Sequence, residues 1–277
     1  MKRNAIVRIV LFSLAIAVLL SILLTGLGIG MFMVDTDIDM GHFIQGGSSV
    51  DAAQVRDIEI EWASGKINIE TADVDTISFQ EEGKFSDDQQ MVYSTDYKTL
   101  SICYSKPAIR IGFISTPSKD LTITVPENWQ GGSIHIEAAS ADITLNNLSA
   151  NSVELDSASG ECVFTGCNLS ELDVDTASGD ITYNGIVKTL SCDAASADIT
   201  AVLLQAPQSI DMDGASGSLD LTLPEDCGFT VELDSLSGNF RSDFTMSKNG
   251  DTYVCGNGAC RIDVDSMSGD VIIRKAK

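Results

Sequence analysis

One eight-residue pattern occurs eight times in this chain: apolar, any, apolar, acidic, any, apolar, Ser, then Gly or Ala. We number the positions of each copy from the Ser, which is position 0. From the second copy onward, successive serines are 19, 19, 18, 20, 21 and 31 residues apart. A near-constant period of this length indicates a stacked-repeat architecture, in which no single unit buries its apolar side alone. The motif serines are Ser64, Ser140, Ser159, Ser178, Ser196, Ser216, Ser237 and Ser268.

Side-chain alternation within the copies predicts how each one folds. Positions −6 and −4 are apolar in all eight copies, as in a half-buried strand whose side chains alternate with period two. Position +3 is always apolar, and position −1 is Ala, Leu or Met. We therefore predict that positions −6, −4, −1 and +3 face the core. The alternation must then break once before the Ser-Gly corner, where Gly tolerates the backbone angles of a bend.

Two all-β folds could use this unit. In an antiparallel meander the corners would be hairpin turns, which need not resemble one another. In a parallel β-solenoid, equivalent residues of successive coils stack at ~4.8 Å, so the same corner sequence recurs. The repeated Ala-Ser-Gly corner, in place of varied Asn-Gly or Asp-Gly turns, favours the solenoid, with a rod roughly 34 Å long for seven coils.

The N-terminal segment is not part of the repeats. Ile9–Val34 contains 26 residues and no charge, which is enough to cross a bilayer as a helix. Three basic residues precede this segment and three aspartates follow it. The positive-inside rule therefore predicts a single-pass protein of the cell membrane, with residues 1–8 in the cytoplasm and the bulk of the chain outside. A cleaved signal peptide is the alternative, although its apolar region would be shorter.

The exterior part is predicted to be one domain on a short stalk. Residues 35–49 suit the stalk, and residues 50–277 form the β-solenoid, which no Pro- or Ser-rich linker divides. Residues 72–130 interrupt the period but still alternate like strands, so they are predicted to be an elaboration near one end.

This exterior part is strongly acidic. All 40 acidic residues follow the apolar segment, but only 14 of the 17 basic residues do so. Such a charge repels nucleic acid and anionic lipid headgroups, and it favours cations or basic partners.

An acid occupies position −3 of every copy, and a second acid often follows at position +2. Like charges directly opposite on neighbouring strands destabilise a sheet, so these carboxylates need a partner. The simpler hypothesis is structural, since Asp side chains accept hydrogen bonds from backbone N–H groups two residues on and stabilise a bend. Binding of Ca²⁺, the one cofactor considered, is the alternative. The acids at −3 are Glu61, Glu137, Asp156, Asp175, Asp193, Asp213, Asp234 and Asp265.

The seven cysteines are too few for a disulfide scaffold in a domain of this length. Cys255 and Cys260 bracket the turn-forming sequence Gly-Asn-Gly-Ala, which allows a disulfide across a tight hairpin. Two free thiols are the alternative. Metal binding by this pair is disfavoured, because no second Cys pair or His cluster supplies further ligands.

The sequence offers no catalytic constellation. Eight equivalent serines suit a corner, whereas catalysis needs one Ser with a base and an orienting group. Of the two histidines, His42 lies in the predicted stalk and His135 at an outward strand position, so neither suits a general base. We therefore assign no catalytic, cofactor-binding or metal-binding residue and predict a protein that is not an enzyme.

The Asp-x-Ala-Ser-Gly-Asp-Ile corners, together with the strands 121–126 and 219–224 that end in Pro, resemble the bacterial "putative adhesin" β-strand-repeat family (domain of unknown function 4097). The resemblance covers about residues 50–275. It implies an extracytoplasmic β-helical domain, often membrane-tethered and in some members encoded beside envelope-stress or transcriptional regulators. It implies no catalytic residues.

We accordingly expect a non-catalytic adhesion or surface-interaction module that binds an extended or cationic partner of the cell envelope or surface. An envelope-stress sensory or accessory protein is one alternative. A carbohydrate-active β-helix enzyme is another.

Overall fold

The protein is all-β in the residues that the computed structural model describes, which are 43–105, 117–250 and 252–277. Two short 3₁₀ turns, Ala52–Gln54 and Asp87–Gln89, accompany the strands. The strands are β1 (Ile44–Gln45), β2 (Ser48–Asp51), β3 (Asp57–Ala72), β4 (Thr76–Gly83), β5 (Val92–Asp96), β6 (Thr99–Cys103), β7 (Lys119–Pro126), β8 (Gly131–Asn146), β9 (Ser149–Ser159), β10 (Cys162–Ser178), β11 (Ile181–Ser196), β12 (Ile199–Leu203), β13 (Ser209–Ser216), β14 (Leu219–Leu223), β15 (Phe229–Ser237), β16 (Phe240–Ser242), β17 (Ser247–Asn249), β18 (Thr252–Cys255), β19 (Cys260–Ser268) and β20 (Val271–Lys275).

The predicted membrane anchor, residues 9–34, lies outside the described residues, as do segment 1–8, His42 and part of the predicted stalk. Among the residues that are described, no helix is long and apolar enough to cross a membrane. The single-pass topology therefore stays a prediction.

Parallel, in-register stacking of the repeats is confirmed. The long strand segments that end at the motif Ser pair with their counterparts in the adjacent coils, as Asp156 does with Asp175 and Leu172 with Leu190. The shorter segments after the corner pair in the same way, from β12 to β14 and from β14 to β20. Equivalent motif positions therefore form columns along a β-solenoid-like stack, and the antiparallel meander is excluded for these coils.

The coils do not stack in chain order at the C-terminal end. β19 lies between β13 and β15, and β20 lies between β14 and β16. The coil of β19 and β20, the last in sequence, therefore lies between the coil of β13 and β14 and the coil of β15 and β16. β18 then pairs antiparallel with β15, and β17 pairs with β18. An uncovered strand edge is a template for pairing with another chain. The hairpin of β17 and β18 covers the outer edge of β15, which would otherwise be exposed at this end of the stack.

Residues 72–130 form the opposite end of the stack. β6 and β7 pair in parallel with β3 on the side away from β8, and β5 and β4 cover them with antiparallel pairs. Lys119, the first residue of β7, is fully buried. Its Nζ donates hydrogen bonds to Glu81 Oε2 at 2.7 Å and to the carbonyl of Gln89 at 2.8 Å. A buried ion pair therefore joins β4 to β7 at this end.

The core is built from equivalent positions of all coils. Positions −6, −4 and +3 face inward, as shown by Val153, Leu155 and Cys162, which are each 0% exposed. The prediction for these three positions is confirmed. Burial of one apolar column beside the next is the main stabilising contribution, since the hydrophobic effect grows with the apolar area removed from water.

The prediction that position −1 also faces the core is wrong. Leu236 and Met267, the two large side chains at −1, are 70% and 40% exposed. Position −2 faces inward instead, as in Thr176, which is 4% exposed. Strand alternation therefore continues as far as −2 and breaks at the corner itself, where positions −1 and 0 both point outward.

A hydroxyl at position −2 stabilises the corner in four of the eight copies. Thr176 Oγ1 donates a hydrogen bond to the carbonyl of Ser178 at 3.1 Å, and so gives a backbone acceptor at the corner a side-chain donor. A small hydroxyl side chain can reach that carbonyl from inside the coil. Ser157, Ser235 and Ser266 make the same bond at their own corners.

Glycine follows the motif Ser in six copies because this corner leaves no room for a side chain. Gly179 has a φ of +133°, in a region that L side chains rarely adopt. A Cβ at this position would lie 2.0 Å from the carbonyl oxygen of Gly160 in the neighbouring coil. The recurring Ser-Gly sequence is therefore a requirement of close coil stacking.

Candidate functional site

Two outward columns of mostly acidic side chains run along one side of the stack. Positions −5 and −3 point to the same side because side chains alternate with period two, and in-register pairing aligns them between coils. We call these sixteen positions the acidic face. Its −3 column, in stacking order, is Glu61, Glu137, Asp156, Asp175, Asp193, Asp213, Asp265 and Asp234. Its −5 column is Glu59, His135, Glu154, Asp173, Ser191, Asp211, Asp263 and Glu232.

The spacing of these carboxylates makes them interact. Neighbours within a column are one strand spacing apart, ~4.8 Å, and the two columns are about 6.6 Å apart. Both distances are shorter than the Debye length of about 8 Å at physiological salt. Mobile ions therefore do not screen one carboxylate fully from the next.

Partial burial and neighbouring charges raise the pKa of two carboxyl groups in the middle of the −3 column. Partial burial, followed by the charges of Asp175 and Asp213 on either side, raises the pKa of Asp193 to about 7. Partial burial and the charge of Asp156 raise the pKa of Asp175 to about 6. These two groups therefore take up protons well above the pH at which isolated Asp side chains do so.

His135 interrupts the −5 column with a basic group. Its Nε2 lies 3.2 Å from Glu137 Oε1 and 4.0 Å from Asp156 Oδ2, and its Nδ1 lies 3.5 Å from Glu154 Oε2. The hydrogen bond to Glu137 and the three negative charges raise the pKa of His135 to about 8. The same hydrogen bond lowers the pKa of Glu137. A second cation, Arg261, pairs with Asp263 near the other end of the face.

Corner capping, which we expected of the acids in general, is observed for acids at position +2. Asp198 Oδ1 accepts a hydrogen bond from the backbone N–H of Ser218 at 2.8 Å, and Asp270 Oδ1 accepts one from Asn239 at 2.8 Å. Each bond joins one coil to the adjacent coil, not to a residue two positions on. The −3 acids point outward into the acidic face. Asp142 and Asp180 also accept such bonds, from Glu161 and Asp198, at 3.2 Å.

Cys255 and Cys260 do not lie side by side. Phe229 of β15 pairs with Cys255 on one side and with Cys260 on the other. Two strand spacings, about 9.6 Å, therefore separate the two cysteines, whereas the Cα atoms of a disulfide lie within about 7 Å. Both are free thiols in the structure. The turn residues between them carry the chain across β15, and the thiol of Cys260 donates a hydrogen bond to the carbonyl of Arg261 at 3.8 Å.

The −3 column can be predicted from the repeat, and the −5 column has a similar signal, since position −5 is acidic in six of the eight copies. The surroundings of His135 cannot be read from the sequence. Its neighbours Glu154 and Asp156 belong to the next coil and meet it only through the register of β8 and β9.

Asp193→Asn is expected to stabilise the protein at pH 8. The folded-state pKa of Asp193 is raised above its unfolded value, so its carboxylate costs stability above pH 7, and the cost is recovered as the pH falls from about 7 to about 4. We expect the melting temperature at pH 8 to rise by about 2–4 °C, a change of about 1 kcal/mol after solvent screening. At about pH 4 and below, where this cost has been recovered, the variant and the wild type should melt alike.

Glu225→Gln is the matched control, because Glu225 is exposed and lies outside the acidic face. It removes the same charge without relieving the column. A melting temperature at pH 8 that falls in Asp193→Asn, or that rises equally in Glu225→Gln, would contradict the repulsion inferred for the −3 column.

Comparison with known proteins gives a family match and several distant structures. A model of the family described as Toastrack DUF4097 matches residues 55–274. No curated protein matches significantly. Among solved structures, the chain is similar to a "putative cell adhesion protein" from Clostridium sporogenes, with 12% identity, 84% of this chain and 100% of that chain covered, and a TM-score of 0.38.

Two further solved structures are similar at the same level. One is a "putative adhesin" from Bacteroides fragilis, with 11% identity, 84% and 97% coverage of the two chains, and a TM-score of 0.38. The other is a "putative lipid binding protein" from Parabacteroides distasonis, with 14% identity, 86% and 98% coverage, and a TM-score of 0.35. The family match, by contrast, extends over nearly all of the coils from β3 to β20.

Proposed function

The chain belongs to the Toastrack DUF4097 family, and we propose that its β-solenoid-like domain is a non-catalytic, adhesin-like interaction module that binds an extended cationic partner through the acidic face. Residues 9–34 anchor it to the cell membrane in this proposal, with the domain outside the cell. The observation that carries the proposal is the pair of carboxylate columns, which remain accessible along the whole stack.

The geometry of the acidic face suits a long partner better than a small one. A polycation lying along the stack meets a new pair of positions at each coil, and repeat proteins typically bind through such extended surfaces without a preformed pocket. Many weak ion pairs then contribute together. Binding of this kind is steered by long-range electrostatics, so its rate and affinity fall as salt increases.

The corner serines support a non-catalytic role. Their hydroxyls bond along the stack, as Ser216 Oγ does to Ser196 Oγ at 3.4 Å and Ser178 Oγ does to the carbonyl of Ala158 at 3.5 Å. Equivalent side chains at every coil do not single out a nucleophile with its own base, which acyl-transfer chemistry requires.

Binding of poly-L-lysine to the purified full-length chain in detergent tests the proposal. We expect saturable binding at about 50 mM salt that weakens strongly at about 300 mM. Asp173→Asn/Asp211→Asn, which removes two carboxylates from the −5 column, should lower the affinity by about fivefold or more. The control Glu225→Gln/Asp226→Asn removes two charges from an exposed turn outside the acidic face.

The control should change the affinity less than about twofold, because its charges do not belong to the columns. Equal weakening by both double variants would mean that net charge, not the acidic face, attracts the polycation, and it would refute the proposed site.

A further inference from the structure

We propose that His135, Glu137 and Asp156 form a binding site for a Zn²⁺-type divalent transition-metal ion. The site lies on the second and third coils of the acidic face, on β8 and β9. It goes beyond the proposed polycation binding, because it requires three particular side chains in place of the whole face.

The three side chains bring their ligand atoms to one place. One imidazole nitrogen and one oxygen from each carboxylate all lie within 4.8 Å of one another. His135 Nε2 is 3.2 Å from Glu137 Oε1 and 4.0 Å from Asp156 Oδ2. Ligand atoms about 2.0–2.2 Å from a tetrahedral Zn²⁺ are about 3.4 Å apart. Small rotations of two partly exposed carboxylates therefore close the set around an ion, with water in the fourth position.

Glu154 lies beside the second nitrogen of the imidazole. Its Oε2 is 3.5 Å from His135 Nδ1, and that nitrogen is shielded from solvent without a hydrogen-bond partner among the described residues. Metal-bound histidines commonly donate their second N–H to a carboxylate. Glu154 is therefore placed to become that outer contact when the side chains close around an ion.

The choice of metal follows from the donor set. Elsewhere on the acidic face the columns offer carboxylates and one Ser, which suit hard ions such as Ca²⁺. Imidazole favours Zn²⁺ and related transition ions, and among the coils that the structure describes it occurs on the acidic face only at His135. A column that is acidic nearly everywhere therefore has one coil at which a softer ion is preferred.

Titration of the untagged full-length chain tests this inference, with Co²⁺ as a spectroscopic probe and Zn²⁺ followed by calorimetry. We expect one equivalent of either ion to saturate the site, with visible Co²⁺ absorption typical of mixed nitrogen and oxygen coordination. Millimolar Ca²⁺ should not displace the ion. His135→Gln should weaken binding by about tenfold or more, and Asp156→Asn should weaken it comparably.

Asp234→Asn is the matched control, since it removes a −3 carboxylate from the last coil of the stack. It should leave the Zn²⁺ affinity within about twofold of wild type. Absence of saturable 1:1 binding would overturn the site, as would equal weakening by Asp234→Asn or full retention in both His135→Gln and Asp156→Asn. These outcomes are independent of poly-L-lysine binding, so the two proposals can fail separately.

Discussion

Val231→Lys is expected to unfold the C-terminal end of the stack, whereas Leu236→Lys in the same strand is expected to leave stability almost unchanged. Val231 occupies position −6 of β15 and is 0% exposed. An ammonium group there would be buried without a partner, which costs several kcal/mol or neutralises the lysine. Leu236 occupies position −1 and is 70% exposed, so its replacement should change the free energy of unfolding by less than about 0.5 kcal/mol.

Chemical denaturation of the two full-length variants measures this difference. We expect a loss of about 4 kcal/mol or more for Val231→Lys and a wild-type midpoint for Leu236→Lys. The pair distinguishes the two assignments of the corner, because an inward position −1 would make both substitutions severe. Equal damage would therefore show that the alternation breaks before the corner, against the structure.

Lys119→Met is expected to cost about 3–5 kcal/mol, since removing one partner of a buried ion pair leaves the other charge uncompensated. Burial lowers the pKa of Lys119, but its bond to Glu81 favours the charged form. Glu81 is also well buried, with 5% of its side chain exposed, and its Oε1 accepts the backbone N–H of Met91 at 2.8 Å. The Lys119 ammonium lies 3.8 Å from the ring centroid of Tyr104 as well.

Adding Glu81→Gln to Lys119→Met should recover most of the lost stability. Gln is neutral and keeps an oxygen for the N–H of Met91, so the double variant contains no unpaired buried charge. The coupling energy from the double-mutant cycle measures the ion pair. Additive losses in the double variant would show that the Lys119–Glu81 contact does not stabilise this end of the fold.

The periodic part of the fold could be predicted because each coil repeats the same physical problem. Apolar residues at −6, −4 and +3 recur at strand spacing, and the repeated Ser-Gly corner indicates stacking of like on like. Which of positions −2 and −1 faces the core could not be predicted in this way, because both are mostly small residues whose hydrophobicity is uninformative. The hydroxyls at −2, such as Thr176, indicate an inward position only once their hydrogen bonds to the carbonyl of the motif Ser are known.

The ends of the stack and the acidic face depend on contacts between strands that the order of residues in the sequence does not indicate. Every coil has a similar edge, so nothing in the motif predicts that β19 inserts between β13 and β15. Lys119 finds Glu81 across 38 residues, and His135 meets Asp156 only through the register of β8 and β9. Cys255 and Cys260 suggested a disulfide because they are close in sequence, but β15 runs between them in the structure.

In-register coils crowd carboxylates into columns, and the titration of Asp193 tests this arrangement most directly. Carbon-13 NMR of the side-chain carboxyl in the full-length protein follows its protonation as the pH changes. The structure predicts half-protonation of Asp193 near pH 7, with Asp175 near pH 6. If both groups titrate close to the ordinary Asp value of about 3.9, neither burial nor the neighbouring carboxylates raise their pKa, and that result would contradict the crowding inferred from the stacked coils.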